Sequence, residues 1–444
     1  MALAKQGAGE GMAEANSPIG KVRTLQRKLY AAAKRNRARK FPALYDRIHR
    51  PDVLAEAWRQ VRANKGAAGI DRETLVAVEA YGVERMLAEM RDLLESGRYR
   101  PQASRRVMIP KPGRPNERRP LSIPRVRDRV VQTAAKIVLE PIFEASFLDC
   151  SFGFRPKRRA RDACEVVRKA VNNGMRHVVD IDFRNYFGTI DRDILLRLVA
   201  RRVSDRRVLR LLRLMMNVGA MEDGVVVSES VGVPQGGAIS PLLSNIYGHA
   251  LDMLWTTEMS HVGTLVRFAD DAVILCRTAE DAQRALEWLR GVSVGLKLTL
   301  HPEKTRVVDM REGREGFDFL GFHFHLVTSR KNGAQRWCLR WPSRRAMASI
   351  QGKVKAITSP RRVLPMPIEQ IVRELNPVLR GWSNYFCWGN SSKKFALVDY
   401  YVHERLALFD SKKRGRSGRR WLVHTHEWLK GLGVYRLTGR VQHA

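Results

Sequence analysis

The sequence predicts an α+β fold with a helical portion after it, on three observations. From residue 176 short strand-like runs alternate with segments of helical periodicity; two of the strands, in "VVDIDF" and "RFADDAVIL", set acidic residues among apolar ones; and beyond "FDFLGFHF" (317–324) the composition changes, with several basic-faced helices over 343–410. With 444 residues, 44% of them hydrophobic, the chain can bury two or three domain-sized cores.

Taken in order, residues 1–20 are rich in Gly, Ala and Ser, and "KVRTLQRKLYAAAKRNRARK" (21–40) reads as a basic helix, either a solvated face or an arm for phosphate. Residues 51–98 have helical spacing interrupted by "NKGAAGID", where Gly66 and Gly69 mark a turn. "YRPQASRRVMIPKPGRPNERRPLSIP" breaks two apolar pieces into a hairpin-like unit studded with Lys111, Arg114, Arg118 and Arg119. "RDRVVQTAAKIVLEPIFEASF" looks helical up to Pro141, whose missing N–H ends a helix. "RHVVDIDF" is a strand, "DRDILLRLVARRV" a helix capped by Asp191, "SPLLSNIYGHALDMLW" a helix, "TLVRFADDAVILC" two strands meeting at an Asp pair, and "AEDAQRALEWLRGV" a helix. The expected organisation is 1–40, tail and basic helix; 41–315, the mixed sheet domain; 316–405, a helical domain; and 406–444, a short cationic segment for nucleic acid.

Charge narrows the function classes. Lys and Arg number 80 against 45 Asp and Glu, a net +35 spread along the whole chain, and such a surface favours polyphosphate partners by counterion release. The apolar stretches are too short for a membrane span and the N-terminus lacks the apolar run of a secretory signal, so a cytoplasmic protein with no membrane partner is expected, in bacterial cytosol or nucleoid. The 5 cysteines are scattered without C-x-x-C pairs, against a structural zinc or redox module.

Asp270 and Asp271 therefore pose a question: why does a polycation keep two like charges side by side at the tip of an apolar segment? An Asp-Asp turn alone is usually only a turn. Asp180 and Asp182, two apart in a strand, project to one face, and acids in two apolar strands invite a bound divalent cation, with salt bridges to nearby arginines as the alternative. Paired divalent ions about 4 Å apart are standard apparatus for in-line phosphoryl transfer.

At this point "RRPLSIPRVRDRVVQ", "SFGFRP", "VVDIDFRNYFGTID", "GVPQGGAISPLLSNIYGHALD", "RFADDAVIL", "LTLHPEKT" and "FDFLGFHF", in this order, resemble the sequential blocks of group II intron-type reverse transcriptases, and "LNPVLRGWSNYF" is similar to their maturase, or thumb, segment. The resemblance covers roughly residues 50–400. It implies a right-hand polymerase, fingers and palm within 41–315 and a helical thumb within 316–405, that adds dNTPs to a DNA primer on an RNA template with Mg²⁺. Residue by residue it carries the metal-binding, catalytic carboxylates onto Asp182, Asp270 and Asp271, and makes Asp180 a neighbour rather than a ligand. It puts Phe187 where a bulky side chain excludes a ribose 2′-hydroxyl, Gln235 of "PQGG" against the nucleotide, Lys111 and Arg119 on the triphosphate, and Arg155 and Lys304 near nucleic acid. It further implies binding and splicing of a group II intron RNA and contact with target DNA.

The sequence departs from the pattern at Phe268, where Tyr usually precedes "ADD", and at Asn185, where a Gly is usual. No Cys- and His-bearing nuclease module follows the thumb, so second-strand cleavage is not expected of these residues. An RNA-binding maturase with little polymerase activity is the alternative reading; so is a domesticated reverse transcriptase serving phage defence, repair or spacer acquisition.

Overall fold

The fold is described from a computed structural model, over residues 17–442 apart from 112–113, 223–224, 228–230, 330–332, 334 and 360. The first helix, α1 (Pro18–Arg35), is capped by Ser17, whose side chain accepts from Gly20 N at 3.1 Å. Its Val22, Leu25, Leu29 and Ala33 are buried, so the basic helix is no free arm: one stripe packs into the core while its charges stay outside. α2 (Pro51–Ala63) and α3 (Val126–Glu144) pack beside it.

Contrary to the sequence reading, α3 runs through Pro141. The proline leaves the carbonyl of Ile137 without its helical donor, and Gln26 of α1 supplies one, its Nε2 donating at 3.2 Å. The lost bond is replaced across the helix pair, so the helix continues.

Strands β1 (Ser104–Lys111) and β2 (Arg114–Ile123) form the expected antiparallel hairpin; β4 (Ala220–Glu222) and β5 (Val225–Val227) extend it to a sheet of order β2-β1-β4-β5. A second sheet, entirely antiparallel, has the order β6-β7-β3-β8 and consists of β3 (His177–Ile181), β6 (Gly263–Phe268), β7 (Asp271–Cys276) and β8 (Arg306–Asp309). Between β3 and β6 lie the helix 192–200, capped as expected by Asp191, whose carboxylate accepts from Ile194 N at 2.8 Å, and α5 (Ser240–Leu254). Before β3 stands α4 (Ala160–Asn172), and after β7 comes α6 (Ala279–Gly295).

This second sheet is buried on both faces, which explains why its strands read as nearly continuous apolar runs. Val179, Ile181, Leu265, Ile274 and Val307 face one core, shared with α1, α3, α5 and α6. Their alternates Val178, Val266, Val273, Leu275 and Val308 face a second core. A third sheet closes that second core: β9 (Gly316–Phe319), β10 (Phe322–Thr328) and β11 (Arg336–Pro342), in the order β11-β10-β9. Helices α7 (Arg344–Thr358), α8 (Ile368–Phe386) and α9 (Ser392–Lys413) complete it, as the sequence reading expected of 343–410. Among the described residues no helix is long and apolar enough to cross a membrane.

Candidate active site

The acidic residues gather at one end of the β6-β7-β3-β8 sheet. In the β3–β7 pairing Asp180 stands opposite Val273 and Ile181 opposite Ala272, so Asp182 and Asp271 are the residues that follow directly at this end of the pair. β6 and β7 close with Phe268 opposite Asp271, leaving Ala269 and Asp270 as a two-residue turn. Ala269 has a φ of 59°, at a first central position where glycine is usual; for an L-residue that conformation costs roughly 1–2 kcal/mol.

Arg267 supports this turn. Its side chain is 1% exposed and forks onto Asp252 of α5, itself 0% exposed, with Nε to Oδ1 at 2.7 Å and Nη2 to Oδ2 at 2.5 Å. Nη1 also donates to the carbonyl of Ala269 at 2.9 Å and Nη2 to Ser151 Oγ at 2.9 Å. The "SFGF" segment lies against the same turn: a Cβ on Gly153 would meet Ala269 N at 2.3 Å, so only glycine permits this approach.

Electrostatics mark the cluster as unbalanced. Burial pushes Asp271 up to about 6, with the charges of Asp270 and Asp182 adding to it and Arg345 opposing. Asp271 keeps a water-accessible surface, so the burial is that of a cleft wall rather than of a core. Burial likewise raises Asp270; Asp182 adds to this, while Arg119 and Arg267 oppose it. Asp180 is pushed up to about 7, again chiefly by burial, against the pull of Arg306. Lys304 Nζ lies 3.4 Å from Asp182 Oδ2. A cleft of about 990 Å³ runs from Asp180, Asp182 and Asp271 past Lys304 and Gly321 to Arg345 and Lys353 of α7.

All-oxygen, like-charged donors whose ionised forms oppose one another suit a hard divalent cation in chemical type. Among the described residues, however, no three or more His, Cys, Asp or Glu side chains are drawn together as a closed cage.

Phe187 and Gln235 come to one neighbourhood. Val233 N donates to the carbonyl of Phe187 at 2.8 Å, and Ser122 N, in β2, donates to that of Gln235 at 2.7 Å. Gly236 has a φ of 112° and a Cβ there would meet Ser122 O at 2.3 Å, so the glycine of "PQGG" admits the hairpin backbone itself. Arg119 is exposed on β2, and its charge reaches Asp270. Lys111 ends β1, but its side chain lies outside the described residues.

Arg155 is not brought to the cleft. Its guanidinium is 4% exposed, pairs with Glu144 at 2.7 Å, and donates to the carbonyls of Leu148 at 2.5 Å and Ser151 at 2.7 Å. Those donors hold the loop after α3 together, and the expected contact with nucleic acid gives way to this internal one. Sequence reasoning also missed Arg267, Asp252 and Arg345. For the first two a signal was present: a lone cation in the apolar strand "TLVRF" and a lone acid in the apolar helix "HALDMLW" each need a buried partner.

Fold and site together define a nucleic-acid polymerase with a carboxylate-lined palm. Comparison with known proteins agrees: the family description "Reverse transcriptase (RNA-dependent DNA polymerase)" matches residues 109–324, and "Group II intron, maturase-specific domain" matches residues 347–428. The Escherichia coli K12 protein YkfC is 34% identical over 348 residues, 70% of this chain and 90% of that protein. The group II intron-encoded protein LtrA of Lactococcus lactis subsp. cremoris is 34% identical over 214 residues, 48% of this chain and 35% of that protein. An uncharacterized 91 kDa protein in the cob intron of Schizosaccharomyces pombe is 24% identical over 429 residues, 79% of this chain and 51% of that one. The chain belongs to the group II intron reverse transcriptase and maturase family, and as an enzyme it is an RNA-directed DNA polymerase.

Proposed function

We propose that the protein copies an RNA template by extending a DNA primer in the cleft beside Asp182, Asp270 and Asp271, with Mg²⁺ held by these three carboxylates. The observation that carries this reading is the β3–β7 register, which ends at Ile181 opposite Ala272, so that Asp182 and Asp271 are the next residues at one sheet end, beside the Ala269–Asp270 turn. When bound, paired divalent ions assist the attacking primer 3′-oxygen and stabilise the departing pyrophosphate.

The chain's own groups bind and orient around that centre. Arg119 and Lys111, on the hairpin, steady the triphosphate with cationic donors. Phe187 is half-buried against the ring of Tyr186, 5.8 Å between centroids, and that packing fixes a wall against a ribose 2′-hydroxyl. Gln235 offers its amide to the nucleotide from a loop anchored on β2. Lys304 pairs with Asp182 at 3.4 Å at the cleft floor and stands ready for phosphate.

The maturase match over 347–428 and the net charge of +35 support binding of the intron RNA. Splicing assistance, target-DNA contact, intron mobility and a cytoplasmic site of action belong to the same reading. So do the domains: fingers and palm within 41–315, thumb within 316–405, and a nucleic-acid-binding segment over 406–444.

The test is primer extension on poly(rA)·oligo(dT) with Mg²⁺. Asp270→Asn should lower extension by at least about 10³-fold while RNA affinity stays within about twofold, because one ligand is lost and one surface charge changes. Retained extension in that variant would refute the assignment.

A further inference from the structure

The buried pair of Arg267 and Asp252 lies under the carboxylates without facing the cleft. Stability alone gives it no purpose, since apolar residues of similar volume commonly hold a core as well as a buried ion pair does. What an apolar pair could not do is donate to several acceptors at fixed angles.

The Arg267 guanidinium binds three separate pieces of chain. From α5 it takes Asp252, at 2.7 and 2.5 Å, and Asn245 Oδ1, at 3.4 Å. From "SFGF" it takes Ser151 Oγ at 2.9 Å, and from the carboxylate turn the carbonyl of Ala269 at 2.9 Å. Backbone bonds duplicate the clamp: Arg267 N donates to Cys150 O at 2.8 Å, and Phe152 N donates to Arg267 O at 2.8 Å. Asn245 Nδ2 closes the ring by donating to Gly153 O at 2.7 Å. Space for the fork exists because α5 carries Gly248, where a Cβ would lie 2.6 Å from Arg267 Nη1 and 3.1 Å from the hydroxyl of Tyr186.

We propose that Arg267, oriented by Asp252, is the positioning residue of the active-site turn: its fork holds Ala269 in the left-handed region and so fixes where Asp270 and Asp271 stand relative to Asp182. The space at Gly248 is bordered by this fork and by the hydroxyl of Tyr186, whose neighbour Phe187 is the proposed nucleotide wall. The inference rests on the reading of Asp270 and Asp271 as the reacting-centre carboxylates.

Two full-length variants test it. Arg267→Met with Asp252→Leu replaces the pair by apolar residues and should melt within about 5 °C of the parent. Arg267→Lys keeps the charge for Asp252 but loses the fork. Both should slow single-nucleotide addition about 100-fold, the cost of displacing reacting groups by about an ångström, with template–primer affinity within about threefold. Both should also weaken Mn²⁺ binding to the free protein, followed by electron paramagnetic resonance, about tenfold. Parental addition rates in either folded variant overturn the proposal. Should both unfold, Ser151→Ala, which removes one acceptor, is expected to slow addition about threefold, and an unchanged rate there overturns it equally. If Asp270→Asn is inactive while the pair variants are fully active, the positioning role alone fails; if Asp270→Asn is active, the underlying site reading fails.

Discussion

Asp270 and Asp271 are neighbours in sequence with different surroundings: Arg119 and Arg267 moderate the first, and Arg345 of α7 the second. Residues far apart in the sequence thus tune one carboxylate pair. The wall proposed at Phe187 is a single-residue device of another kind, one that would act by volume. Phe187→Ala should raise ribonucleotide incorporation relative to deoxynucleotide at least about tenfold, read by competitive single-nucleotide insertion; unchanged discrimination would move the wall elsewhere. His249 carries a pH dependence. Burial holds its imidazole down at about 4; the ring sits edge-on to Phe147 at 5.4 Å, and its Nδ1 is buried with no hydrogen-bond partner among the described residues. Because the folded value lies below the unfolded one of about 6.5, this contribution is fully present above pH about 6.5 and is lost as pH falls toward 4. The stability of the parent relative to His249→Phe, by urea titration, should therefore decline over that interval; a pH-independent difference would contradict the burial argument.

At the scale of elements, patterned strands, turns and caps were legible and side-chain partners were not. The strand-turn-strand around "ADD", the hairpin after residue 104 and the Asp191 cap each rest on residues close in sequence, and all were readable. What escaped were side-chain bonds between different elements: Gln26 relieving Pro141, Arg155 turning inward to Glu144, and Arg267 reaching Asp252 and Ser151. None of these side chains announces its partner through periodicity, although a charge inside an apolar run does announce that a partner exists. The "PQGG" loop shows packing across elements fixing a residue type: Gly236 is demanded by the carbonyl of Ser122. Gly236→Ala should destabilise the protein by about 1–3 kcal/mol, from both the positive φ and the close contact, as measured by thermal unfolding; a neutral substitution would mean the hairpin yields freely.

For the whole molecule, charge and core division make separate predictions. With a net +35, RNA affinity should fall about 10³-fold or more between roughly 50 and 200 mM salt; a shallow slope would show that few phosphates are gripped. The domain limits read from sequence, near 315 and 405, cut through shared packing. The second core joins Val178, Val273 and Val308 to Phe395 and Phe409 of α9, and Leu437 beyond them is fully buried. Leu437 N is held by Asp399 at 2.9 Å. Truncation after residue 405 should consequently lower the melting temperature by well over 5 °C rather than release an intact polymerase; a truncated chain with parental melting behaviour would show that the residues beyond 405 add little to the core.

The same two-faced sheet bears on the timing of synthesis. Its carboxylate strands are translated by residue 276, but the covering for their second face continues to Leu437. A nascent chain paused midway would hold the acidic strands with one side open to water. Packing around those strands thus closes only when nearly all of the chain has left the ribosome, by which time α7, α8 and α9 have emerged with it.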